Sequence, residues 1–320
     1  MGLVEAWGGN FFGWFLAHFI EAPYNIIIAL MNAPSWLAWV PHFQLKGKFD
    51  DPEVAQSLIR FIYYGASWEL FFALSFIFVA VTIAGVLNNR FMWGCVRKLE
   101  GFGNIVGRIA AWAGLLMVLQ QVLIVFLQRI FAVSEISLGF GITFTHDVSW
   151  WGEELKLYNA MIVCLCVSYT FIQGGHVRVD LIYSVVSYRI KRIIDMIGCL
   201  VFMIPGALVT YFYGWFFFWR TMVTPKLSAS DTFKDIDKLL PKARALRWNV
   251  ETIGFSPNGF NAYFLFKVLL LTFALMVLLQ AIAFLYRSYL ELREGPASEG
   301  RYLDKDVLGD VTAERVAEIH

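Results

Sequence analysis

Six stretches of this chain are apolar over about 20 residues or more, and a run of that length fits best across a bilayer. A helix rises about 1.5 Å per residue, so about 20 residues cross about 30 Å of hydrocarbon. A helix is required there because no water is present to pair the backbone N–H and C=O groups. Five runs are clean: 68–87, 107–131, 149–172, 194–219 and 260–286. The sixth, 11–40, carries Glu21, Pro23 and Pro34. It is read as a kinked span, with an interfacial amphipathic piece as the alternative. The expected fold is an all-α integral membrane protein: a four-helix transmembrane core with one or two additional N-terminal membrane segments. Composition agrees, at 58% hydrophobic and 16% charged, where a soluble domain carries about 25% charge. The expected division is an N-terminal extension over 1–104, a four-helix core over 105–290 and a tail over 291–320.

Lys and Arg in short loops set orientation. Residues 88–108 hold Arg90, Arg97, Lys98 and Arg108; residues 173–193 hold Arg178, Arg189, Lys191 and Arg192; the tail holds Arg287, Arg293, Arg301, Lys305 and Arg315. All three are expected in the cytoplasm, and 132–148, without Lys or Arg, is expected outside. Six crossings with both termini inside follow. The stretch 220–259 opposes the rule with Arg220, Lys226, Lys234, Lys238, Lys242, Arg244 and Arg247, yet alternation of the flanking helices places it outside, with room for a small helix at 231–246. The chain after Tyr286 turns hydrophilic and reads as a solvated tail with a short helix at 311–319. The start lacks a basic region and a small-residue cleavage site, so no cleavable leader is expected.

The chemistry-bearing residues are few. A net charge of +1 leaves no surplus basic face for nucleic acid. Of the five histidines only His18 lies well inside an apolar run, without a mate at matching depth, so neither haem nor a metal site is expected. Cys164, Cys166 and Cys199 sit in apolar runs as small hydrophobes, and Cys95 sits in a basic segment. No hydrolase, Walker or dinucleotide pattern occurs. Polar side chains within the spans are read as ties between helices: Gln120, Gln121 and Gln280. Glu153 and Glu154 are read as opening the 149–172 helix, with a Glu154–Arg129 pair at the outer interface. Lys267 is placed to snorkel, and the boundary tryptophans form an aromatic belt. Small residues four apart, such as Ala110 and Gly114, permit close helix contact.

One octapeptide stands between two spans: Gly174-Gly175-His176-Val177-Arg178-Val179-Asp180-Leu181. The glycine pair suits a helix end, because glycine enters the left-handed region at little steric cost. If the following residues are extended, His176, Arg178 and Asp180 share one face and the apolar residues the other. Such a strip suits the boundary between water and lipid, with Arg189 to Arg192 close by to hold anionic head groups.

The order of these elements resembles the small permease, or DctQ-type, subunit of TRAP (tripartite ATP-independent periplasmic) transporters. The resemblance rests on the run Leu115 to Arg129 and on Trp150-Trp151-Gly152-Glu153-Glu154-Leu155. It rests further on the Gly174–Leu181 strip, a third helix with Asp195, Gly198 and Pro205, and a fourth closing on Leu279-Gln280. It covers about residues 105–290; the first 100 or so residues and the long 220–259 loop depart from the family's form. What it implies is a scaffold without enzymatic activity in a bacterial or archaeal inner membrane. Its implied partners are a large (M-type) permease subunit, a periplasmic (P-type) substrate-binding protein and membrane lipids. The implied process is sodium-coupled organic-acid uptake, with Gly174, Gly175, His176, Arg178 and Asp180 as an interface motif. An autonomous channel or carrier is the alternative, and needs a continuous polar stripe along a helix. A membrane enzyme or cytochrome subunit needs paired histidines or a catalytic motif. Neither feature is found in the sequence.

Overall fold

The computed structural model describes residues 3–138, 144–173, 186–226, 228 and 236–304. In chain order the helices are α1 (Leu3–Trp7), α2 (Phe11–Met31), α3 (Ala33–Leu37), α4 (Pro52–Tyr64), α5 (Trp68–Leu87) and α6 (Asn89–Arg129). There follow α7 (Val148–Leu165), α8 (Val167–Ile172), α9 (Tyr188–Gly198), α10 (Ile204–Met222), α11 (Ile236–Leu239) and α12 (Phe264–Glu294). The short strands are β1 (Lys46–Lys48), β2 (Glu135–Leu138), β3 (Phe144–Asp147), β4 (Val223–Thr224) and β5 (Arg247–Asn249). Five helices are long and apolar enough to cross a membrane: α2, α5, α6, the joined α9–α10 over Tyr188–Met222, and α12. The protein is an all-α membrane protein with small sheets.

The expected span at 149–172 is instead two helices. α7 carries Glu153, Glu154 and Lys156 and ends at Cys166, where α8 begins. The expected break at 88–108 is helix throughout, because its buried residues Met92, Trp93, Val96, Glu100, Gly103, Asn104 and Gly107 recur at helical spacing. Segment 11–40 resolves into α2, which runs through Pro23, and a separate α3 with its proline in the first turn. The expected helix at 231–246 is, over its described part, α11 followed by a 3-10 turn at Leu240–Ala245. Between α9 and α10 lies a π turn at Cys199–Met203. Pro205, the second residue of α10, has no N–H to offer the carbonyl four residues back.

The chain packs as two units that interleave in sequence: residues up to Asn88 with Val209–Leu271, and Asn89–Leu208 with residues from Thr272 onward. In the first unit α2 packs on α5. Three strands pair in the order β1-β5-β4, all antiparallel, with Lys46 opposite Asn249, Lys48 opposite Arg247 and Val223 opposite Trp248. α4 is capped by Asp51, whose carboxylate accepts from the Glu53 N–H at 2.8 Å. Its apolar face, Ala55, Leu58, Ile59 and Ile62, is buried with Trp219, Met222, Val223 and Trp248. Trp39 meets Trp219 edge-on at 5.5 Å, and the Trp215 indole donates to the Ile62 carbonyl at 2.9 Å. Trp39, Trp215 and Trp219, expected as belt residues, therefore pack into this unit's core.

In the second unit α6 packs along α7 and α8. The contact line is made of small residues: Gly103, Gly107, Ala110 and Gly114. A methyl group on Gly107 would collide with the Tyr169 side chain, and one on Gly103 would lie 3.0 Å from Ser168 Cβ. Ser168 in turn donates to the Met276 carbonyl at 2.9 Å, joining α8 to α12. Gly107→Leu is expected to lower the unfolding free energy by about 1–3 kcal/mol through overpacking. Gly101→Ala, with nothing within 4 Å of its added methyl, is expected to raise it by about 0.5–1 kcal/mol by restricting the unfolded chain. Thermal unfolding of the two variants in the same detergent separates these signs; equal melting temperatures would remove the small-residue contact from the account.

Candidate interaction site

The strongest concentration of buried charge lies in the second unit, where α6, α9 and α12 meet the segment after α12. Arg287 on α12 donates to Glu100 on α6 through Nε at 2.7 Å and again through Nη2, a two-point guanidinium–carboxylate pair. Its Nη1 donates to the Arg301 carbonyl at 2.9 Å, and its guanidinium lies 5.5 Å above the Trp93 ring. One turn on, Glu291 faces Arg192 of α9 at 2.9 Å and accepts from the Gly300 N–H at 3.2 Å. Arg192 also donates to Glu299 at 2.6 Å and lies 3.4 Å from Asp195. Glu100, Arg192, Arg287 and Glu291 are each at most 7% exposed. Each of these four buried charges faces an opposite charge, which offsets the cost of removing it from water, while Arg192 Nε and Glu291 Oε2 are left without a hydrogen bond.

The segment 295–304 is held as a strap across these helix ends. Asn104 donates to the Asp304 backbone carbonyl at 2.9 Å and to its carboxylate at 3.1 Å, and Gln173 donates to the same carbonyl at 3.1 Å. Arg108 adds a more exposed ion pair to Asp304 at 3.1 Å. The Tyr188 hydroxyl donates to the Glu291 carbonyl at 3.2 Å. Trp93 donates to Glu294 at 3.1 Å and meets the Tyr302 ring edge-on at 5.6 Å. The expected solvated tail after Tyr286 is thus corrected over 287–304. Ser288, Glu291 and Ser298 are buried, Glu291 and Ser298 with hydrogen bonds to the segment itself, while Glu299, Arg301 and Asp304 stay exposed.

The expected motif residues Gly174, Gly175, His176, Arg178 and Asp180 lie outside the described residues, as does the expected helix at 311–319. Gln173, at their threshold, is held by the strap. The interhelical amides divide. Gln120 donates to the Trp151 carbonyl and to Glu154, both at 3.1 Å, tying α6 to α7. Gln280 is buried beside Gly103, and Gln121 is exposed. Glu154 takes Gln120 and the Tyr158 hydroxyl, at 3.4 Å, in place of the expected Arg129. Arg129 ends α6. Glu153 and Glu154 do not open their helix: Asp147 does, accepting from the Ser149 N–H at 2.9 Å. Lys267 lies 5.4 Å from the Tyr263 ring centroid and 6.0 Å from that of Phe217.

Sequence reasoning missed the Glu100–Arg287–Glu291–Arg192 chain. The available signal was local: Arg287 and Glu291 are four apart on one helix, and Arg192 and Asp195 three apart on another, each beside an apolar run.

Comparison with known proteins is specific in the middle of the chain. No curated protein and no solved structure matches. The family model described as "Tripartite ATP-independent periplasmic transporters, DctQ component" matches residues 140–233, a narrower span than the 105–290 over which the resemblance is read. It takes in α7, α8, the Gly174–Leu181 strip, α9 and α10. Over residues 140–233 the chain is therefore similar to the DctQ component of the tripartite ATP-independent periplasmic transporters.

Proposed function

We propose that this chain is the small transmembrane scaffold subunit of a TRAP-type secondary transporter, with residues 105–290 as its small-permease core. Its partner is a large permease subunit that carries out sodium-coupled uptake of an organic acid delivered by a periplasmic binding protein. The observation that carries this reading is the DctQ match together with how the buried polar side chains are used. Gln120, Glu154, Glu100, Arg192, Arg287 and Glu291 are spent on ties between helices. That is the construction of a rigid brace.

The proposed setting is a bacterial or archaeal inner membrane, with both termini cytoplasmic. Loop charge supports it: Lys and Arg crowd 88–108, 173–193 and the tail and are missing from 132–148. Pairing of β1 with β5 requires residues 46–48 and 247–249 to share one side of the membrane, which alternation gives when α7 and α8 together make one crossing, the fourth beside α5, α6 and the joined α9–α10. On this reading Gly174, Gly175, His176, Arg178 and Asp180 form the contact with lipid head groups or the large subunit. The chain itself performs no catalysis.

Mild-detergent purification of the tagged chain from its native membrane is expected to bring down a much larger polytopic partner in stoichiometric amount. Arg178→Ala is expected to lower uptake and partner recovery together, with the preference among substrates unchanged. A chain that purifies alone and moves solute in liposomes would replace this reading with an autonomous carrier.

A further inference from the structure

We infer that the outer face of the three-stranded sheet, carrying Lys46, Lys48 and Arg247, is a docking surface for an acidic face on a soluble protein. Lys48 stands directly opposite Arg247 across the β1–β5 pair, and Lys46 opposite Asn249. Residues directly opposite on antiparallel strands share a face with their Cβ atoms about 4.5–5.5 Å apart, where like charges destabilise the pair. All three cations are exposed, while Trp248 and Val223, pointing the other way, are buried. The nearest acids in sequence, Asp50 and Glu251, form no ion pair with them, and among the described residues none of the three is ion-paired. A sheet built only for its own stability would set an acid against one of these cations.

A second observation comes from the sequence. The 220–259 stretch holds seven Lys and Arg residues against four acids, Asp231, Asp235, Asp237 and Glu251, and so keeps a positive excess on the side where alternation of the helices opposes it. Positive charge kept there against insertion bias and against sheet stability is accounted for by an external anion. The geometry favours a soluble protein over a lipid surface. The inner face of the sheet, Trp248 with Val223, packs on Trp219 and Met222 in the last turn of a membrane-length helix. The cationic face is therefore turned away from that helix end and toward water. An isolated cluster of this kind chiefly steers encounter, and its effect fades as salt rises.

The second observation rests on the proposed six-crossing topology, whereas the like-charged pair on the sheet stands without it. The test places a photo-crosslinking amino acid at Asn249, an uncharged position amid the three cations, in the full-length chain in its native cells. The expected product is an adduct with a soluble protein whose crosslinked peptide is rich in Asp and Glu. Its yield is expected to fall at least tenfold in the K46E/K48E/R247E background and to fall with added salt in permeabilised cells. Lys48→Glu alone supplies the folding control. It creates an opposite-charge pair with Arg247, so it is expected to raise the melting temperature while lowering the adduct. Adducts confined to lipid, the absence of any adduct, or a protein adduct indifferent to charge reversal would each overturn the inference.

Discussion

Arg287→Ala is expected to destabilise the detergent-solubilised protein by about 3–5 kcal/mol, the usual cost of removing one member of a buried ion pair. The loss has three parts. Glu100 is left as a buried carboxylate without its two-point partner, the Arg301 carbonyl loses its donor, and the Trp93 ring loses the cation above it. Arg287→Met combined with Glu100→Leu is expected to cost clearly less than the two single substitutions summed, because the double variant buries no unpaired charge. A melting temperature for Arg287→Ala within about a degree of wild type would show that the pair contributes nothing to stability.

Removal of residues 1–60 is expected to leave a chain that aggregates, although by its position in the sequence this extension reads as dispensable to a four-helix core. The deletion takes away Trp39, Phe49, Ala55, Leu58 and Ile59, all of which pack in the first unit's core, and uncovers Trp219 and Trp248. It also removes β1, leaving one edge of β5 unpaired. Each large apolar side chain lost from a core costs about 2–5 kcal/mol, so the sum exceeds the about 5–15 kcal/mol that holds an ordinary domain together. Size-exclusion chromatography of the truncated chain decides the matter; a monodisperse peak with native helical content would free the extension from the fold. Trp248→Ala, expected to cost about 3–5 kcal/mol, tests the same core without altering the chain's length.

The membrane-length helices were legible because an apolar run of about 20 residues has few alternatives to crossing. Where charge and helix coincide the reading failed. Arg90, Arg97 and Lys98 suggested a loop, whereas the register of Trp93, Val96, Glu100 and Gly103 continues α6 unbroken. The start of α7 was legible to within one residue, at 149 against Val148, but its cap was not, because Glu153 and Glu154 drew attention from Asp147, the residue whose carboxylate meets the free N–H. Gln120 was legible as a tie, since an amide in mid-span has few partners, but not as a partner of Glu154 in place of Arg129. The Glu100–Arg287 pair, 187 positions apart, carries no local periodicity at all. The same holds for β1 and β5, each three residues long and far apart in the chain, and for α4, whose period is clear only once its covering loop is known.

That separation sets the order in which the protein is completed at the ribosome. Glu100 is synthesised 187 residues before Arg287, and Asn104 precedes Asp304 by 200. At about 5–20 residues per second the carboxylate waits roughly 10–40 s for its guanidinium. The strap follows Arg287. α6 must therefore enter the membrane and persist as a helix carrying an unpaired acid, and the charged chain closes only once α12 has been made. A ribosome stalled before Arg287 holds a nascent chain in which Glu100 has yet to meet its partner.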